Sequence, residues 1–233
     1  MKVLKNNSKA NYNLEIDYSL LMGSKWAHLL EDGLLSDDYM SSLMLTLHEN
    51  YKNNKDYYPD KKDIFKFLKD VDFGEIQVVI VNCKPKFNGR NNGLAFGNKI
   101  ETTRGTYDSN LVSLFENIEN HMNGGMKVDK DYTLSNWTKQ GVLLLNTALT
   151  GTSTKVDNTQ WYRFVDYLLR FIDDCKSGVV FAFIGDGGQD VWTSKVKSST
   201  QVVLNFDKLD IDALEDINFE IDYLNGEDCR IKW

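Results

Sequence analysis

A chain of 233 residues with 42% hydrophobic and 12% aromatic content carries enough apolar material for a sizeable core, which excludes disorder over most of its length. No apolar run reaches the roughly 18 residues of a membrane span, and the start "MKVLKNNSKANYN" lacks the apolar centre of a signal peptide. A soluble, intracellular protein of the host cytoplasm with no membrane partner is therefore expected, and the net charge of −7 argues against nucleic acid only until it is mapped along the chain.

Residues 25–51 place apolar side chains at three-to-four spacing and predict one or two amphipathic helices broken near Gly33. Pro59 and Asp60 precede Ile64, Phe65, Phe67 and Leu68, the pattern of a turn followed by a short helix. "IQVVIV" is continuous and β-branched, as strands buried on both faces are. The stretch "SNLVSLFENIENHM" (109–122) predicts a helix, and "GVLLLN" a second buried strand. In "NTQWYRFVDYLLRFIDDC", Trp161, Phe164, Val165, Leu168, Leu169 and Ile172 form one apolar stripe of a helix packed on a sheet. "GVVFAFIG" and "TQVVLNF" supply a third and a fourth strand. Strands alternating with helices predict a three-layer α/β/α sandwich with a central four-stranded, mostly parallel sheet. One domain over residues 1–233 is expected, with 1–24 as an N-terminal extension and 205–233 as an acidic C-terminal segment.

Ligands of such sheets bind beyond the carboxyl ends of the strands, which are here polar or glycine-rich: Asn82 onward, Asn146-Thr147, "GDGG" (185–188) and Asn205-Phe206-Asp207. Residues 205–233 hold nine acidic side chains against Lys208, Arg230 and Lys232, a local charge of −6, so the remaining body carries only −1. Within that body Lys84, Lys86, Arg90, Lys99 and Arg104 face Glu101 alone over residues 84–104, a local +4. A run of like charge is as often a solvated face as a docking site. Cys83, Cys175 and Cys229 stand far apart without metal-ligand or disulfide spacing, so reduced thiols, no metal and no cofactor are expected. His28, His48 and His121 fall on predicted helices with apolar neighbours and receive no catalytic role.

"WTKQGVLLLNTALT" (137–150) closely resembles the segment W-x-x-Q-G-V-L-L-L-N-x-x-L-T of family 1 uracil-DNA glycosylases. "NGLAFG" resembles that family's H-G-L-x-F-S, "FAFIGDGGQ" its F-L-L-W-G-x-x-A-Q, and the final "RIKW" its ending in I-D-W. In order and spacing the resemblance covers roughly residues 26–233 and implies a uracil-DNA glycosylase-like fold. It also implies that Phe96 occupies the position of the ring that stacks on the base, and Asn146 that of the amide that reads its edge. Taken singly, Phe96 is more often a core ring and Asn146 a strand-end residue bonded to backbone.

The family's two catalytic loops are where the sequence departs. Aligning Pro85 with the proline of the Gly-Gln-Asp-Pro-Tyr-His loop sets Lys84 at the aspartate, Lys86 at the tyrosine and Phe87 at the histidine. The stretch after the fourth strand, "VVLNFDKLDIDALED", has neither the histidine nor the prolines of the second loop. The resulting expectation is a catalytically inactive, viral (phage) glycosylase-like protein, a pseudoenzyme more than an enzyme, that binds single-stranded RNA or DNA. Its expected contacts are Lys84, Lys86, Phe87, Arg90, Phe96, Lys99, Arg104, Ser109, Asn146, Gly187, Gly188 and Lys195. A protein interaction module, as replication scaffold or inhibitor decoy with a viral replication or other protein partner, is the alternative. An active DNA glycosylase with a buried, nucleophilic Lys84 is a further one. The glycine cluster 185–188 suits phosphate at a helix start but is equally a tight turn, and Ser109 suits backbone contact or a helix cap.

Overall fold

Four short apolar runs form one wholly parallel sheet in the computed structural model, which describes residues 2–3, 14–36, 38–100, 107–122, 124–185 and 188–233. In chain order the elements begin with an antiparallel pair, β1 (Lys2–Val3) and β2 (Leu14–Glu15). Helices α1 (Tyr18–Met22), α2 (Ser24–Leu30), α3 (Asp38–Asn53) and α4 (Lys66–Lys69) precede β3 (Val78–Asn82). Then come α5 (Ser109–Asn117), α6 (Ser135–Thr138), β4 (Val142–Asn146), α7 (Asn158–Cys175) and β5 (Val180–Ile184). The chain closes with α8 (Gln189–Thr193), β6 (Val202–Phe206) and α9 (Ile211–Asn225).

The sheet order is β4-β3-β5-β6, flanked by helices in a three-layer α/β/α sandwich. Strands β3, β4 and β5 are apolar up to their last residues because both faces are covered; Val78 to Val81 and Val142 to Leu145 are fully buried. Strand β6 forms the other edge and accordingly alternates between half-buried and exposed side chains. Helix α7 buries its stripe from Trp161 to Ile172. Its one buried carboxylate, Asp173, accepts the amides of Lys197 (2.7 Å) and Ser198 (3.2 Å), tying α7 to the approach to β6.

Two terminal expectations acquire detail. Met22, within the expected N-terminal extension, is fully buried. The acidic 205–233 segment contains α9, which sinks Ala213, Leu214, Ile217 and Ile221 into the core while Asp212, Glu215 and Asp216 face outward. The final residues close on it: Trp233 Nε1 donates to Leu214 O (3.1 Å), and Asn218 exchanges two hydrogen bonds with Ile231. No described helix is long and apolar enough to cross a membrane.

Strand order reverses at β3, whose neighbours are the next strand on one side and the one after on the other, so a crevice opens at the carboxyl ends. The segment "NNGLAFG" reaches that crevice because Gly93 lets the backbone pass Asp63: its φ is +90°, and a Cβ there would meet the Asp63 carbonyl oxygen at 1.9 Å. Gly93→Ala is expected to cost about 3 kcal/mol or more in folding stability, read as a lower urea midpoint at unchanged slope.

Candidate functional site

A cleft of about 620 Å³ opens at the strand ends, lined by the last residue of β4 and by the segments after β3, β5 and β6. Asn82, Lys84, Lys86 and Arg90 come from the first, Phe96 from the "NNGLAFG" loop, Asn146 from the end of β4 and Gly185 from the end of β5. Asp207, Lys208, Leu209 and Asp210 close the wall after β6, and Asp108, Asn110 and Leu111 bring the start of α5 to it.

Asparagines fix these loops. Asn92 is buried, accepts Leu94 N (3.1 Å), and donates to Asn98 O (3.0 Å) and Thr133 O (2.9 Å). Buried Asn98 donates to Phe96 O (3.2 Å) and accepts Asp108 N (3.1 Å), joining the loop to the start of α5. Asn91 holds Lys86 O at 3.1 Å. An asparagine offers one acceptor and two donors at the end of a short arm, so it replaces the ladder that irregular backbone lacks. Ala95 N reaches Leu144 O of β4 (3.2 Å), and Phe96 next to it has φ +63°, a left-handed conformation costly for a bulky side chain. The ring stays half-buried at the cleft.

At the strand ends Asn82 and Asn146 face each other in register. Lys84 N donates to Asn82 Oδ1 (3.1 Å) and Asn82 Nδ2 donates to Asn146 Oδ1 (3.0 Å). Charge of both signs lines the wall. Lys84 and Lys86 are exposed, so the burial invoked for a nucleophilic Lys84 is absent. Among the carboxylates, Asp108 accepts Asn110 N and Leu111 N as the cap of α5. Asp210 accepts Ala213 N and pairs with Lys208 at 3.0 Å. Asp207 is exposed and makes no described hydrogen bond or ion pair. Among the described residues no group of three His, Cys, Asp or Glu side chains is placed to hold a metal ion.

Of the residues expected from the sequence, Lys84, Lys86, Arg90, Phe96 and Asn146 line the cleft. Phe87 is buried instead, its ring filling the space where a Cβ on Gly151 would stand (2.6 Å), and so anchors the Lys84–Lys86 turn from beneath. Lys99 pairs with Asp60 at 3.0 Å, and Lys195 with Asp166 at 2.8 Å and Tyr162 Oη at 2.9 Å. Ser109 is exposed in the first turn of α5, between two cleft residues. Gly188 precedes α8 and lies close to Cys83. Arg104 and Gly187 lie outside the described residues. Asn82 and Asp207 received no role from the sequence. The available signal was an asparagine ending two neighbouring strands, and a carboxylate immediately after the fourth.

No family model matches the chain. Over 174 residues it is 30% identical to a uracil-DNA glycosylase of Coxiella burnetii, covering 72% of this chain and 70% of that protein. It is 28% identical to a uracil-DNA glycosylase of Fusobacterium nucleatum over 172 residues, 72% and 73% of the two chains. The crystal structure of mimivirus uracil-DNA glycosylase superposes with a TM-score of 0.74 over 94% of this chain and 90% of that one at 16% identity, a likeness of fold. These relatives overturn two expectations, that of a catalytically inactive RNA- or DNA-binding protein and that of a chain more non-enzyme than enzyme. The similarity runs through most of the chain and is to proteins named as enzymes, whereas those expectations rested on two short loops. They named Lys84 and a missing histidine without counting the charges that β6 and α5 bring to the same cleft. Both sequence relatives are bacterial and give no support to a phage source.

Cys83 also sits at this edge, half-buried, with burial pushing its thiol up to about 12. A raised thiol pKa leaves the protein with less thiolate at every pH below it, so Cys83 is no nucleophile here. Iodoacetamide at about pH 8 is expected to alkylate exposed Cys175 and spare Cys83 in the folded protein, with Cys83 labelling rising only as the pH climbs. Peptide mass spectrometry reads the result.

Proposed function

Because the chain belongs to the uracil-DNA glycosylase family, we infer that it is a DNA glycosylase that takes a pyrimidine base out of a DNA strand into the cleft and breaks its bond to the sugar. The observation that carries this reading is one 620 Å³ cleft holding a half-buried ring on a strained backbone, an oriented amide and charges of both signs. A stacking face and a fixed hydrogen-bonding group are what an unstacked base requires. On this reading Phe96 supplies the face and Asn146 the amide.

Base excision separates charge. The electron pair of the sugar–base bond leaves with the base, and the anomeric carbon becomes cationic. Water adds to that carbon and gives up a proton, while the departing base takes one up. Groups aimed at these developing charges lower the barrier more than groups that bind the neutral substrate. The Asn146 amide donates to the base carbonyl on which negative charge collects, and the exposed ammonium groups of Lys84 and Lys86 add a positive field on the same side as the strand β3 turn. For the cationic carbon the chain offers Asp207, since Asp108 and Asp210 are committed to helix starts. Among the described carboxylates of the cleft its own is the one open to face the sugar and to accept the proton that water loses. The cations also suit DNA phosphates, whose contacts weaken as salt rises.

The decisive experiment is release of free uracil from single- and double-stranded oligonucleotides with one deoxyuridine. Excision from at least one substrate is expected, and none from either sinks the proposal. Asn146→Ala should lower kcat/KM about a hundredfold, because a site built around a polar contact loses most when that contact goes. Asp207→Asn should lower kcat by about 10² or more with DNA affinity kept. If Asp207→Asn retains full kcat, the assignment of the water-facing carboxylate falls while the glycosylase reading stands.

A further inference from the structure

We propose that Asn82 is a positioning residue that decides which pyrimidine the cleft accepts, by fixing the direction of the Asn146 amide. The inference rests on the glycosylase reading for the presence of a base in the cleft, and on hydrogen-bond chemistry for everything else. A backbone N–H only donates, so Lys84 N, 3.1 Å from the Asn82 side chain, requires oxygen at that position of Asn82. The other arm of Asn82 is then its NH₂ group, which donates across the strands at 3.0 Å and requires oxygen from Asn146. That turns the Asn146 oxygen toward Asn82 and its NH₂ group away from it. Its Nδ2, with no hydrogen-bond partner among the described residues, is what a cleft-lining Asn146 has left to offer a ligand.

The Asn82 backbone is held as firmly as its side chain: its carbonyl accepts both Thr147 N (3.1 Å) and Thr147 Oγ1 (3.2 Å). A single backbone amide thus sets, through two side chains, the polarity presented to the base. A donor meets the exocyclic carbonyl oxygen of uracil as a partner. It meets the exocyclic amine of cytosine as a second donor, leaving a buried polar group unpaired. The relay therefore selects pyrimidines with a carbonyl where cytosine has its amine.

Asn82→Asp tests this with almost no change of shape. The carboxylate still accepts from Lys84 N but has no donor for Asn146, so Asn146 must turn its NH₂ toward residue 82 and its oxygen toward the cleft. The readout is competition binding of single-stranded oligonucleotides carrying one deoxyuridine or one deoxycytidine, each fluorinated at the sugar 2′ carbon to resist hydrolysis. The wild type is expected to prefer the uridine strand by about tenfold or more, and Asn82→Asp to lose or invert that preference. Asn82→Ala, which releases Asn146 to adopt either direction, should bring the ratio close to one. The added negative charge of Asn82→Asp weakens both strands alike, so the ratio and not the affinity is decisive. A wild-type ratio of one, or a folded variant that keeps the wild-type ratio, overturns the proposal. No bond is broken in this assay, so absent uracil excision would count against the glycosylase reading without touching the outcome.

Discussion

The parallel register of β3 against β4 is the constraint from which the site follows. Val78 pairs with Val142 and each later residue with its counterpart, so Asn82 arrives beside Asn146 at the same height in the sheet. Four residues of each strand are sealed in the core, where slippage by one position would turn a buried side chain out and a polar one in. The polar residue at each end is therefore placed by the apolar residues before it. Strand β5 pairs with β3 in step, Val78 with Val180 through to Asn82 with Ile184, and Gly185 follows at once. Because all four strands run the same way, everything beyond their carboxyl ends faces one cleft.

What the sheet places, the loops must hold without help from a ladder. Only two prolines occur in the whole chain, so little of this rigidity comes from restricted backbone torsion. It comes from buried asparagines and from packing. Asn92 and Asn98 close the "NNGLAFG" loop on itself, on Thr133 and on the start of α5, and Phe87 wedges the lysine turn against Gly151. Further along, Thr150, Asp157, Tyr57 and the Trp161 indole form one buried polar network that ties the segment after β4 to α7. Within it Asp157 accepts from both Tyr57 and Thr150, and Thr150 accepts from the indole N–H. The left-handed Phe96 is sustained by this over-determined frame, since an unsupported loop would relax it.

The sheet and the helices between its strands were legible because long apolar periodicity is a local signal. The apolar stripe of α7 and the continuous runs of β3, β4 and β5 match the residues that are buried. Helix α9 was obscured by the carboxylates around Leu214, Ile217 and Ile221, whose spacing is as regular as that of α7. Within the site, Lys84, Lys86 and Arg90 could be found from charge, since neighbours in sequence share a turn. Lys99 and Lys195 look the same in a charge map and differ only through Asp60 and Asp166, which lie far off in sequence. The direction of an amide is the least legible property of all. Asn82 is visible as a strand-end residue, but the polarity of Asn146 depends on a hydrogen bond chain across 64 residues.

The same distinction explains why the lysine turn misled. A carboxylate missing from one loop was taken as a missing function, yet a dissociating sugar–base bond requires negative charge near the carbon and positive charge near the base, with no preference for which loop supplies either. Four strand ends open on this cleft, and the chain places cations after β3 and carboxylates after β6 and before α5. A field is a property of the assembled wall. Lys84 and Lys86 after β3 and Asp207 after β6 line the same wall, so the sign of charge at one loop position does not by itself fix the field inside the cleft.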